Sequence, residues 1–135
     1  MIVLDTSAVS AVMTRDPRAM SALAQHPPDQ LVLCAPVAAE IRFGLERLEP
    51  ASRRRRLLAR EYQRLRDVLE WCDWTEEAAR IFGEQKARLQ RNGQLIGDMD
   101  LVIGSIALAL PAAVATFNIR HFARLDGLEC HDWTP

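Results

Sequence analysis

Short, wholly apolar runs punctuate the chain, and longer amphipathic stretches fill the gaps between them. Met1-Ile2-Val3-Leu4, Leu31-Val32-Leu33-Cys34 and Ala113-Val114-Ala115-Thr116 carry almost no polar side chain. Such runs read as strands covered on both faces, the signature of a parallel sheet. Trp71 to Trp74 reads as a further strand or extended segment, and Leu128-Glu129-Cys130 as a last edge strand. Thr6-Ser7 open a short helix through Met13. Asp16-Pro17 combine a cap with Pro at the first helical position, predicting a helix to about Gln25. Pro36 starts a helix with Val37, Ile41, Leu45 and Leu48 on one face, ended by Pro50. Ser52 caps a long Arg-rich helix to about Leu69, and Thr75 begins one stopped by Asn92-Gly93. Leu101 to Leu110 is an apolar helix, with Ile103, Ile106, Ala107 and Leu110 at core spacing. Asn118 to Phe122 forms a short turn or helix.

Strands alternating with helices predict an α/β domain with a mostly parallel central sheet. Ligands in that architecture sit beyond the carboxyl ends of the strands. Asp5 and Asn118 each lie just past such an end.

A chain of 135 residues is read as one domain, residues 1–135. It is 49% hydrophobic and 26% charged, enough for a core. A net charge of -1 argues against a globally basic nucleic-acid binder. The distribution is more informative, because all but one of the 17 basic residues are Arg and they peak at Arg53-Arg54-Arg55-Arg56. Arg53, Arg56, Arg60 and Arg64 fall close to one helical face. That face reads as solvated, with a phosphate-contacting patch as the alternative. Cys34, Cys72 and Cys130 form no C-x-x-C pair, so they read as small core residues in a reducing cytoplasm. No secretory leader or membrane-length apolar run is recognised. His26, His121 and His131 lack zinc-pair spacing and read as surface or packing residues. The tryptophans 71, 74 and 133 read as core or dimer packing, with base stacking as the alternative.

The candidate chemistry is carboxylate chemistry. Ile96-Gly97-Asp98-Met99-Asp100 sets two acids at a helix start, where free N–H groups favour negative charge. Residues two apart do not share a helical face. Asp98 is the better cap candidate; Asp100, tied to the side of Ile103, is the preferred ligand. Asp5 reads as an N-cap or a ligand. Glu40 lies at the edge of an apolar stripe. Alone it reads as a boundary Glu beside Gly44, a glycine read as allowing close approach of another backbone. Gathered in one cleft, Asp5, Glu40, Asp98 and Asp100 would suit Mg²⁺ or Mn²⁺.

Asp5-Thr6-Ser7 after the first strand, Glu40-x-x-x-Gly44, Ile96-Gly97-x-x-Asp100-x-x-Ile103 and Thr116-x-Asn118 before Phe122 together resemble the PIN-domain ribonucleases. The likeness extends from the first strand to Leu125-x-Gly127-Leu128 and is closest to the VapC-type toxins of toxin–antitoxin pairs. The resemblance implies an α/β/α sandwich, a Mg²⁺- or Mn²⁺-dependent endoribonuclease, a homodimer, and a VapB-like antitoxin that blocks the cleft. It implies Asp5, Glu40 and Asp100 as metal ligands. Asn118 takes a fourth position that is often Asp, and Asp98 is the candidate to offset the missing charge. Gly104 stands where Ala is frequent, read as a small change. The Ile-Gly-x-x-Asp form is similar to the subgroup that cuts initiator tRNA.

The expected reaction is hydrolysis of an RNA phosphodiester by metal-activated water, with Thr6, Ser7 and Thr116 steadying the carboxylates. A receiver domain is rejected because the only lysine, Lys86, lies mid-helix. An aspartyl-nucleophile phosphatase would want Asp-x-Asp where Asp5-Thr6-Ser7 stands. A catalytically silent PIN-like module that binds RNA or protein stays open through Asn118.

Overall fold

The computed structural model describes residues 1–134. Strand β1 (Ile2–Leu4) lies at the centre of a five-stranded sheet of order β3-β2-β1-β4-β5. The others are β2 (Leu31–Cys34), β3 (Glu70–Cys72), β4 (Ala113–Thr116) and β5 (Cys130–Asp132). Every pairing is parallel: Val3 sits opposite Val32 on one side and Val114 on the other. The three inner strands are buried at every residue, as their unbroken apolar sequences require.

Around the sheet run α1 (Thr6–Met13), α2 (Pro17–Leu23), α3 (Ala35–Glu46), α4 (Arg53–Val68), α5 (Glu76–Arg91), α6 (Asp98–Ala109) and α7 (Ile119–Phe122). The start signals operate as expected. Asp16 caps α2 ahead of Pro17, and Ser52 accepts from Arg55 N–H at the head of α4. Thr75 accepts from Ala78 N–H at 3.1 Å to begin α5. Thr75→Ala should therefore lower stability by about 1 kcal/mol, read as a shift of the denaturant midpoint with an unchanged slope.

Several expectations change. The last strand is Cys130–Asp132 rather than Leu128–Cys130, because Gly127, at φ +78, prolongs the turn before it. The α3 helix ends at Glu46, ahead of Pro50. Gly44 is exposed, and nothing lies within 4 Å of where its Cβ would be, so no backbone packs there. Gly104 is the glycine that packing requires. A methyl group on it would run into Leu125 Cδ1, so alanine would force that core side chain to move.

Trp133 is buried and meets Phe117 edge-on, whereas Trp71 and Trp74 are exposed. Among the described residues no helix is long and apolar enough to cross a membrane. All three cysteines are free, and Cys34 alone is fully buried; desolvation pushes its thiol up to about 11. Iodoacetamide at mildly alkaline pH should label Cys72 and Cys130 and spare Cys34 until the chain unfolds, as peptide mass spectrometry would show.

Candidate active site

Successive strands are added outward from β1 on one side before the chain returns to place β4 on the other. The crevice this reversal leaves lies beyond the carboxyl ends of β1 and β4. Asp5 follows β1 and Asn118 follows β4, so the topology brings both to its mouth.

Asp5 is 2% exposed and is both cap and cleft residue. Its Oδ1 accepts from Ala8 N–H at 2.8 Å, capping α1, and from the Ser7 hydroxyl at 2.7 Å. Its Oδ2 accepts from the Thr116 hydroxyl at 2.6 Å. Two acceptor bonds fill Oδ1, while Oδ2 keeps a lone pair. Burial pushes the Asp5 carboxyl above its ordinary value. The bonds from Thr116, Ser7 and Ala8 oppose that shift, and the charge of Asp100 adds to it. A buried carboxylate steadied in its charged form but repelled by a second carboxylate is a site that a cation relieves.

The same hydroxyls tie β4 to the cleft. Thr116 Oγ1 accepts from Asn118 N–H at 2.7 Å, and Ser7 Oγ accepts from Phe117 N–H at 3.0 Å. Thr6 donates its hydroxyl to Glu40 Oε1, which fixes that half-buried carboxylate of α3 beside the residue after Asp5. Thr6, Ser7 and Thr116 thus do what was expected of them.

The two acids of α6 part company. Gly97 is the N-cap, with no side chain to offer, so Asp98 is not the cap. Asp98 is instead 65% exposed and ion-paired with Lys86 Nζ of α5 at 2.9 Å. That contact is a solvent-exposed ion pair between α6 and α5. Asp100 turns toward the cleft, close enough to Asp5 for mutual repulsion. Its Oδ2 lies 2.7 Å from His121 Nδ1, and the same nitrogen lies 2.8 Å from Asn118 Nδ2. His121, read as a surface or packing residue, is part of the site. The available signal was its i, i+3 relation to Asn118, which puts both on one side of a helical turn.

Among the described residues no three His, Cys, Asp or Glu side chains are gathered closely enough to cage an ion by themselves. The donors still fit a hard divalent cation. Asp5 Oδ2 has a free lone pair, Asp100 Oδ1 has no protein partner among the described residues, and both are hard oxygens. Mg²⁺ commonly takes one or two carboxylates and keeps several waters.

Ribonuclease VapC2 of Rickettsia felis is 30% identical to this chain over 97 residues, 72% of this chain and 69% of the relative. The tRNA(fMet)-specific endonuclease VapC of Shigella flexneri is 30% identical over 95 residues, 70% of this chain and 69% of its own. A solved structure of VapBC-1 from nontypeable Haemophilus influenzae superposes over all of both chains, with a TM-score of 0.82 and 28% identity. The PIN domain family model matches residues 2–128. With the carboxylates at the switch point of a parallel α/β sheet and this match along nearly the whole length, the chain belongs to the PIN-domain family, among its VapC ribonucleases.

Proposed function

We propose that this protein is a metal-dependent endoribonuclease toxin that hydrolyses RNA, with tRNA as the favoured class, and that a VapB-like antitoxin neutralises it. The observation that carries this reading is the buried Asp5 carboxylate, which accepts three hydrogen bonds and lies close enough to Asp100 for the two to repel. Family membership and the tRNA-cleaving Shigella relative support the substrate class. The antitoxin follows from likeness to a VapBC-1 structure.

Asp5 and Asp100 would hold Mg²⁺ or Mn²⁺, with Glu40 kept in reach by Thr6. A bound ion supplies Lewis-acid polarisation of the scissile phosphate and a water of lowered pKa. Ser7 and Thr116 keep the Asp5 carboxylate oriented and oppose the upward shift that burial imposes on it. Asn118, uncharged, adds a polar amide at the cleft wall.

Exposed arginines of α4, including Arg53, Arg56 and Arg60, offer a basic surface that a phosphate backbone could contact. The same reading includes a homodimer, for which the exposed Phe43, Trp74 and Met99 supply apolar surface. An RNA substrate puts the activity in the cytoplasm, consistent with three free cysteines.

Purified protein incubated with RNA and Mn²⁺ should cleave it. EDTA should stop cleavage, and Mn²⁺ added in excess over EDTA should restore it. RNA bound and never cut at any metal concentration would favour the silent-module reading that Asn118 keeps in play.

A further inference from the structure

The site is short of free carboxylates, and the shortage has a pattern. Two divalent ions about 3.5–4 Å apart repel each other strongly, and a two-ion site needs anionic oxygens to offset that. Four acids lie on the elements around this crevice, but Asp98 is 65% exposed and turned to Lys86 at 2.9 Å. The position beside β4 is the neutral Asn118.

The remaining place for a second ion is between Asp100 and Asn118, and there His121 Nδ1 sits, 2.7 Å from one and 2.8 Å from the other. One ring nitrogen carries one hydrogen or one lone pair, so it serves one partner fully. With Asp100 ionised, the nitrogen's hydrogen goes to the carboxylate.

Two further observations show that this arrangement is not a by-product of packing. His121 is 41% exposed at its side chain, while its neighbour Phe122 is fully buried and anchors α7. Asn118 occupies the N-cap of α7, where asparagine ordinarily caps, yet its side chain caps nothing and turns to the imidazole instead.

We infer that the cleft takes one divalent ion, held by Asp5 and the free oxygen of Asp100, and that His121 is the positioning residue that denies it a second. This rests on the reading that Asp5 and Asp100 hold metal at all. The imidazole occupies the space between Asp100 and Asn118, and it holds Asp100 in one orientation.

The test counts Mn²⁺ bound to the purified protein, by electron paramagnetic resonance of the free ion and by calorimetry. Wild type should bind one ion per chain. The double variant N118D/H121A, which adds a carboxylate and removes the imidazole, should bind two. Its cleavage rate should change from a hyperbolic to a sigmoidal dependence on Mn²⁺. Far-UV circular dichroism would confirm that both proteins are folded. Two ions bound by wild type, or one by the folded double variant, would overturn the proposal. No ion bound by folded wild type would overturn the metal reading beneath it, a separate result from a wrong count.

Discussion

Asp5→Asn should abolish RNA cleavage while leaving the fold intact. The amide oxygen can still accept from Ala8 N–H, so the cap of α1 survives, and the Thr116 hydroxyl can turn to accept from the new amide. What is lost is the charge. A metal bound as Lewis acid contributes several kcal/mol to the transition state, and about 1.4 kcal/mol is tenfold in rate. The expected loss is therefore on the order of 10³-fold or more, measured on a labelled RNA in saturating Mn²⁺.

The same variant should be the more stable protein without metal at neutral pH. Folding raises the Asp5 pKa above its ordinary 3.8, so the folded state binds that proton more tightly than the unfolded state does. Its contribution is fully present below 3.8 and is lost as pH rises through the raised folded value. Thermal unfolding in EDTA across the acidic range should show wild type losing this increment with rising pH and Asp5→Asn lacking that loss. A variant that retained wild-type cleavage would remove Asp5 from the site.

Phe122→Ala should give the largest stability loss. Phe122 is among the largest fully buried side chains and anchors the four-residue helix that carries His121. Truncating such a ring costs about 3–5 kcal/mol, against a typical total of about 5–15 kcal/mol for a domain. Denaturant unfolding should show a midpoint lowered accordingly. Unchanged stability would mean that α7 is anchored by something other than this ring.

How much of this was legible beforehand follows from the range of the interactions involved. The inner strands Leu31–Cys34 and Ala113–Thr116 could be bounded to the residue, because burial on both faces leaves an unbroken apolar run. Asp5 and Asn118 could be placed at the crevice because strand ends are local features. Asp98 was misread as the helix cap, and its ion pair was missed for the opposite reason. Its partner, Lys86, sits on another helix, and no spacing rule connects the two. His121 was passed over likewise, since Asp100 lies 21 residues away along the chain. Glu40 shows the intermediate case: its half-buried position follows helical periodicity, but the hydroxyl of Thr6 that holds it arrives from a different strand–helix junction. Gly44 failed because a helical wheel cannot tell a stripe that meets another element from one that faces solvent.

The central place of β1 governs when the protein can come into being during synthesis. The β1 partners Ala113–Ala115 and the Thr116 hydroxyl that holds Asp5 are made 111 residues after the strand itself and Asp5. At about 5–20 residues per second, the nascent chain waits on the order of 10 s before the sheet can close. A chain cut short before β4 therefore lacks both the second neighbour of β1 and the hydroxyl that holds Asp5.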